Sequence, residues 1–219
     1  RTLYAQYGIR VYVSDFAGLY ADGAHAEPYA NDEAAVRTHL QQLVELYGGE
    51  PWLLAWQLGN ENNYYIKGGI FGEQISQSLP EYLQLMDRLA AAVRQAEQLQ
   101  GVRHPIVLGH GGERGLELVG SLKYFDAVGL NLYPNLVGGA FQGGWDGGRA
   151  VYLEQVFATV QQAAPRLAVI LAEVGQPHTT AAGQATYLHS ALAVAQAHAA
   201  GGAATDNKVI AGSFVFDPS

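Results

Sequence analysis

Cysteine is absent from the 219-residue chain, which excludes disulfide staples, thiolate zinc sites and a cysteine nucleophile. Charge is scarce at 15% of residues, and positive charge is scarcest, with 12 Lys and Arg against 20 Asp and Glu and a net charge of -8. Such a surface repels phosphate backbones, so nucleic acid is not an expected partner. No apolar run approaches the ~18 residues that cross a bilayer, and no charged-then-apolar leader opens the chain, so no membrane span is expected. The histidines at 25, 39, 104, 110, 178, 189 and 198 never show the spacing of a metal-binding helix, two His one turn apart beside a Glu. No catalytic metal is therefore expected, and no cofactor is expected either. A Gly-x-Ser-x-Gly nucleophile elbow is missing as well.

Apolar residues make up 49% of the chain, enough to bury a substantial core, and no linker or repeat divides residues 1–219, which read as one domain. The first residue is Arg1 rather than Met, which suggests a processed product or an excerpt of a longer chain. Near-continuous apolar runs at Ile9 to Val13, Leu53 to Leu58, Ile106 to Leu108, Ala127 to Leu132, Leu167 to Leu171 and Val209 to Phe216 predict six buried parallel strands. Between them lie helical periods. Asn31 precedes the stripe Val36, Leu40, Leu43, Val44 and Tyr47, which Gly48-Gly49 closes. Ser78 and Glu81 have capping-box spacing before Tyr82, Leu85, Leu89, Val93 and Ala96. Weaker helical patterns run through Leu116 to Leu122, Tyr152 to Ala163 and Gln184 to Ala199. The glycine-rich stretch from Gly138 to Gly148 reads as a long loop. Strand-helix alternation means an α/β fold, either an open doubly wound sheet or a (β/α)8 barrel. Both place their chemistry at the carboxyl ends of strands.

Those ends are polar throughout: Ser14-Asp15, Gly59-Asn60-Glu61-Asn62, Gly109-His110-Gly111-Gly112, Asn131-Leu132-Tyr133, Glu173-Val174-Gly175 and Phe216-Asp217. Any loop turns polar, so one such end decides little. Glu61 and Glu173, however, each follow a buried run. Either alone is more often a solvated loop carboxylate, but a facing pair of carboxylates is the machinery of glycosidic bond cleavage.

The segment LLAWQLGNENNYY resembles the fourth barrel strand of the clan A glycoside hydrolases, in which an Asn-Glu pair ends the strand. VILAEVG is similar to the clan's seventh strand, GLNLYP to its sixth and GSFVFD to its eighth; the barrel domain of the β-galactosidase and β-glucuronidase family is nearest in character. The resemblance implies a TIM barrel from a retaining enzyme acting on a glycoside or oligosaccharide. Glu173 would be its nucleophile and Glu61 its acid/base. It further implies that Asn60 binds the sugar 2-hydroxyl and that Tyr133 donates to Glu173. Asp15, His110, Asn131 and Trp145 would be further substrate contacts. On this correspondence the six strands are the third to the eighth, so an incomplete barrel is expected. Its oligomeric state is not legible.

Simpler roles stand beside these. Asp15 has turn or cap bonding as an equal alternative, and His110 a structural one. Asn62 and Asn63 suit turn backbone better than sugar. Trp56 belongs in the core, whereas Trp145 and Phe141 can stack on a sugar or pin their loop. Two further functions compete: a carbohydrate-binding barrel without catalysis, and a β-glucanosyltransferase that passes the sugar to another sugar. A nucleotide-binding oxidoreductase is more remote. Gly109 and Gly111 begin a dinucleotide fingerprint whose third glycine position is Arg114, and Asp126 lies too close for the ribose acid.

Overall fold

Helices in this chain start and stop where side chains can replace missing backbone partners. In the computed structural model, which describes residues 2–14, 32–69, 75–132, 145–174, 180–201 and 210–213, the helix Leu79–Gln100 shows both devices. Glu81 Oε2 accepts from the Ser78 backbone N–H at 2.8 Å. At the other end Gly101 takes the left-handed conformation (φ 70°), and the N–H groups of Gly101 and Val102 return to the carbonyls of Gln98 and Glu97. Asn31, Asp15, Tyr133, Phe141, Gly175 and Asp217 lie outside the described residues. The described residues form two compact units, Arg1–Gly109 with Ser121–Asp126, and His110–Gly120 with Ala127–Ser219.

The first unit contains α1 (Thr2–Tyr7), β1 (Val11–Ser14), α2 (Glu33–Tyr47), β2 (Leu53–Leu58), α3 (the helix above) and β3 (Ile106–Gly111) as far as Gly109. β1 pairs in parallel with β2, and β2 with β3. The cap of α2 is Asp32, whose Oδ1 accepts from Ala35 N–H at 2.9 Å. Its buried stripe is Val36, Leu40 and Val44, narrower than the sequence suggests because Tyr47 is exposed. α2 packs on α3, whose Tyr82, Leu83, Leu85, Met86, Leu89 and Val93 are all buried.

Below the first residues of β3, charge concentrates in one network. Glu97 is 1% exposed, and its Oε1 accepts from Trp56 Nε1 at 3.0 Å and His104 N–H at 2.8 Å, with His104 Nδ1 2.9 Å away. Its Oε2 takes Arg94 at 2.8 Å. Arg94 also pairs with Asp126, which binds Arg103 at 2.9 Å and accepts the Ile106 N–H at 2.7 Å. Trp56 is thus a core residue, and Asp126 is committed to two arginines rather than to a ribose.

The second unit holds the last residues of β3, a 3-10 turn (Leu116–Ser121) as far as Gly120, β4 (Ala127–Leu132), α4 (Trp145–Ala163), β5 (Ala168–Val174), α5 (Ala181–Gly201) and β6 (Ile210–Ser213). β4, β5 and β6 pair in sequence order, all parallel. The weak helical pattern after Leu116 closes as 3-10 turns, and a side chain on Gly120 would stand 2.3 Å from the Ala163 carbonyl oxygen. α4 begins at Trp145, so the last residues of the glycine-rich stretch are helical rather than loop. Glycine in a helix interior costs roughly 1 kcal/mol relative to alanine; burial of Leu153, Val156, Phe157 and Val160 on the same helix outweighs that. Among the described residues no helix is long and apolar enough to cross a membrane.

Candidate active site

β2 delivers Glu61 through a turn with two positive φ angles. Leu58 is buried, Gly59 has φ +69°, and Glu61 follows at φ 57°, ψ 16°. Glu61 is the only non-glycine residue with positive φ among the described residues. Such a conformation costs on the order of 1–3 kcal/mol and persists only where the surroundings impose it. Several contacts impose it here. Tyr64 N–H donates to the Glu61 carbonyl at 2.9 Å, opening a 3-10 turn over Asn62–Tyr64. Asn62 Oδ1 accepts from Asn60 N–H at 3.1 Å, and Gln57 Nε2 donates to the Gly59 carbonyl at 3.1 Å. β3 closes in from the side: a Cβ on Gly109 would lie 2.3 Å from Gly59 O. Beneath the turn, a Cβ on Gly59 would meet the Tyr82 hydroxyl at 2.9 Å. Asn62 and Asn63 are buried, and Asn62 performs the turn role its residue type suggests, while Asn60 and Glu61 are half-exposed.

In the second unit the register brings Asn131 beside Glu173. β4 and β5 pair residue for residue up to Leu130 and Leu171, then Asn131 faces Glu173 and Ala172 is left over. This bulge changes the parity of burial. Val169 and Leu171 are buried, and the next buried residue is Val174, so Ala172 and Glu173 share the less buried face with Ile170. Without the extra residue, Glu173 would stand on the face of Leu171. Asn131 is 1% exposed and Glu173 is half-exposed.

β3 supplies a third piece. His110 is fully buried, and its Nε2–H donates to the Arg114 carbonyl at 3.0 Å. Burial pushes its pKa down to about 4, so the imidazole is neutral and its Nδ1 is an acceptor with no partner among the described residues. The loop that His110 holds is anchored also by Gly112 N–H, which donates to the Asn131 carbonyl at 2.9 Å. On that loop sits Glu113, half-buried, with its pKa raised by burial; Tyr152 Oη on α4 lies 3.4 Å from its Oε2. Sequence reasoning passed over Glu113. Its signal in the sequence is an acid just beyond a strand end, set among glycines that resemble a nucleotide fingerprint.

The structure therefore places Asn60 and Glu61 in one turn of the first unit, and Asn131, Glu173 and His110 at the carboxyl ends of adjoining strands in the second. Asp15 and Tyr133 lie outside the described residues, as does the side chain of Trp145, so their expected contacts carry no geometry. Among the described residues no group of three or more His, Asp or Glu side chains converges as a metal site.

No protein-family model matches the chain, and no curated protein matches it in sequence. Solved structures do match. The Bacteroides uniformis β-glucuronidase 2 covalently bound to cyclophellitol-6-carboxylate aziridine superimposes with a TM-score of 0.59 at 19% identity, over 99% of this chain and 24% of that one. A glycoside hydrolase family 5 enzyme from Prevotella bryantii gives 0.62 at 13% identity, over 94% and 63%. A GH10 xylanase from Bispora, solved with xylobiose, gives 0.54 at 12%, over 84% and 54%. The chain spans about a quarter of the length of the β-glucuronidase. The fold is the TIM-barrel fold of these glycoside hydrolases, with six of its eight parallel strands among the described residues. The doubly wound alternative is set aside.

Proposed function

We propose that this chain carries the catalytic barrel of a retaining glycoside hydrolase acting on β-linked sugars, with Glu173 as nucleophile and Glu61 as acid/base. One observation supports it above the rest: both glutamates occupy the carboxyl ends of parallel strands through irregular backbone, a left-handed residue at Glu61 and a bulge at Glu173. Irregular backbone of these two kinds re-aims side chains and is concentrated at functional sites. The β-glucuronidase among the structural neighbours supports the linkage.

In the proposed reaction Glu173 attacks the anomeric carbon while Glu61 protonates the departing oxygen. Glu61 then takes a proton from the water that releases the sugar. This requires carboxyl groups roughly 5 to 5.5 Å apart. Asn131, beside Glu173, and Asn60, preceding Glu61, have the donors to read sugar hydroxyls.

The test uses aryl β-glycosides of graded leaving-group acidity. Glu173→Gln is expected to abolish turnover on all of them. Glu61→Ala is expected to lose on the order of 10²- to 10⁴-fold where the leaving group needs a proton, and far less with an activated phenol. Equal loss on both kinds of substrate removes the acid role. Binding of oligosaccharides without product identifies a carbohydrate-binding barrel instead, and transfer of glycosyl units to added sugar identifies a transglycosylase.

A further inference from the structure

Glu113 is a half-buried carboxyl in an unusual setting. No described Lys, Arg or His side chain pairs with it; among the described groups its own backbone N–H and the Tyr152 hydroxyl bond to it. The neighbouring Arg114 side chain is exposed, and its carbonyl is occupied by His110. A carboxylate removed from water without a cation is costly to maintain, and such groups concentrate where a ligand completes the hydrogen bonding.

Position gives this group a task. Gly112 N–H is bonded to the Asn131 carbonyl, and Asn131 stands in register with Glu173. Adjacent strands are about 4.8 Å apart, so the Glu113 loop lies roughly two spacings, or about 10 Å, from the Glu173 backbone at the same end of the sheet. That is within reach of the substituents of a sugar attached at Glu173. The loop is also well fixed: Gly112 and Gly115 adopt φ +62° and +89°, Leu116 N–H donates to the Glu113 carbonyl at 3.3 Å, and buried His110 clamps the next carbonyl.

We infer that Glu113 is a specificity residue which accepts hydroxyl hydrogen bonds from an uncharged sugar and excludes uronic acids from the site. The inference rests on the glycosidase reading and deepens it. An uncharged pyranose presents hydroxyl donors to an acceptor-only carboxylate, whereas a uronate presents a second negative charge in a partly desolvated place. Tyr152 acts through Glu113 as a positioning residue.

The experiment compares 4-nitrophenyl β-glucoside, β-galactoside and β-glucuronide at pH 8 with the wild-type chain, Glu113→Gln, Glu113→Ala and Tyr152→Phe. Wild type is expected to prefer the uncharged glycosides, and Glu113→Gln to raise relative kcat/KM for the glucuronide on the order of 10-fold or more. Glu113→Ala gives the same relative gain if the glutamine variant folds poorly. Tyr152→Phe is expected to raise KM for the uncharged substrates with kcat nearly unchanged. A wild-type preference for the glucuronide, or a ratio unmoved within twofold in both Glu113 variants, overturns the inference.

A second arm measures binding of methyl β-glucoside and of glucuronate by calorimetry and needs no turnover. A charge preference that Glu113→Gln abolishes, without hydrolysis by any variant, upholds the specificity role and refutes the hydrolase reading. Binding of neither sugar, with no turnover, removes both.

Discussion

Glu97→Ala tests the buried ion and hydrogen-bond network of the first unit. The wild-type carboxylate is 1% exposed and serves donors from Trp56, His104 and Arg94. Breaking a buried charge pair by removing one partner typically costs about 3–5 kcal/mol. Here the lower end applies, because Arg94 keeps Asp126 and the His104 carbonyl at 2.6 Å and is not stranded. What is stranded is the Trp56 indole N–H and the His104 backbone N–H, each worth about 1–3 kcal/mol when buried and unsatisfied. The expected loss is therefore about 3 kcal/mol, a large part of the 5–15 kcal/mol of an ordinary domain. Glu97→Gln retains an oxygen for Trp56 and His104 but turns an amide NH2 toward Arg94, losing that hydrogen bond as well as the charge. Because Arg94 keeps Asp126 and the His104 carbonyl, the expected loss is smaller than that of the alanine variant. Urea unfolding followed by tryptophan fluorescence reads both. With a slope near 2–3 kcal/mol/M, the alanine midpoint falls by roughly 1 to 1.5 M. An alanine loss below about 1 kcal/mol, or equal losses for the two variants, refutes the account of the network as hydrogen-bond satisfaction.

Three further outcomes are expected. Glu61→Gly relieves the left-handed residue and should keep or gain stability, by up to about 1 kcal/mol, while losing the proposed acid function; destabilisation in urea would show that the Glu61 side chain itself holds the turn. Gly109→Ala drives a methyl group onto the Gly59 carbonyl and should lower the urea midpoint and displace Glu61; a variant with wild-type midpoint and turnover would deny that β3 fixes the turn. His110 should make stability fall as pH drops from about 6.5 to about 4. The unfolded imidazole takes up a proton in that window and the buried one does not, so the unfolded state binds more protons and stability rises with pH. The full contribution is present above pH 6.5 and amounts to about 3 kcal/mol. Urea midpoints at pH 7.5, 5.5 and 4.5 should show this slope reduced in His110→Gln, and an identical slope refutes it.

Much of the architecture was legible in the residues because parallel strands covered on both faces cannot alternate in polarity. Leu53–Leu58 and Ala127–Leu132 begin and end where their apolar runs do. The turn after β2 and the acid at its exit were equally visible, since glycine and asparagine there have local reasons that need no partner strand. The capping box at Ser78 is another local device, and it too could be read directly.

Tertiary structure decided the rest, wherever a residue's role depends on a neighbour remote in sequence. The helical start at Trp145 overrides glycine propensity through packing further along α4. His110 reads as a rim residue until β3 continues to Gly111 and buries it. Glu113 gains interest only when α4 brings Tyr152 within 3.4 Å. The face that Glu173 occupies follows from a single unpaired residue, Ala172, whose leftover status is a property of the pairing with β4 and of neither strand alone. Periodicity along one strand specifies which residues alternate. Only the register against the next strand specifies which face each of them takes.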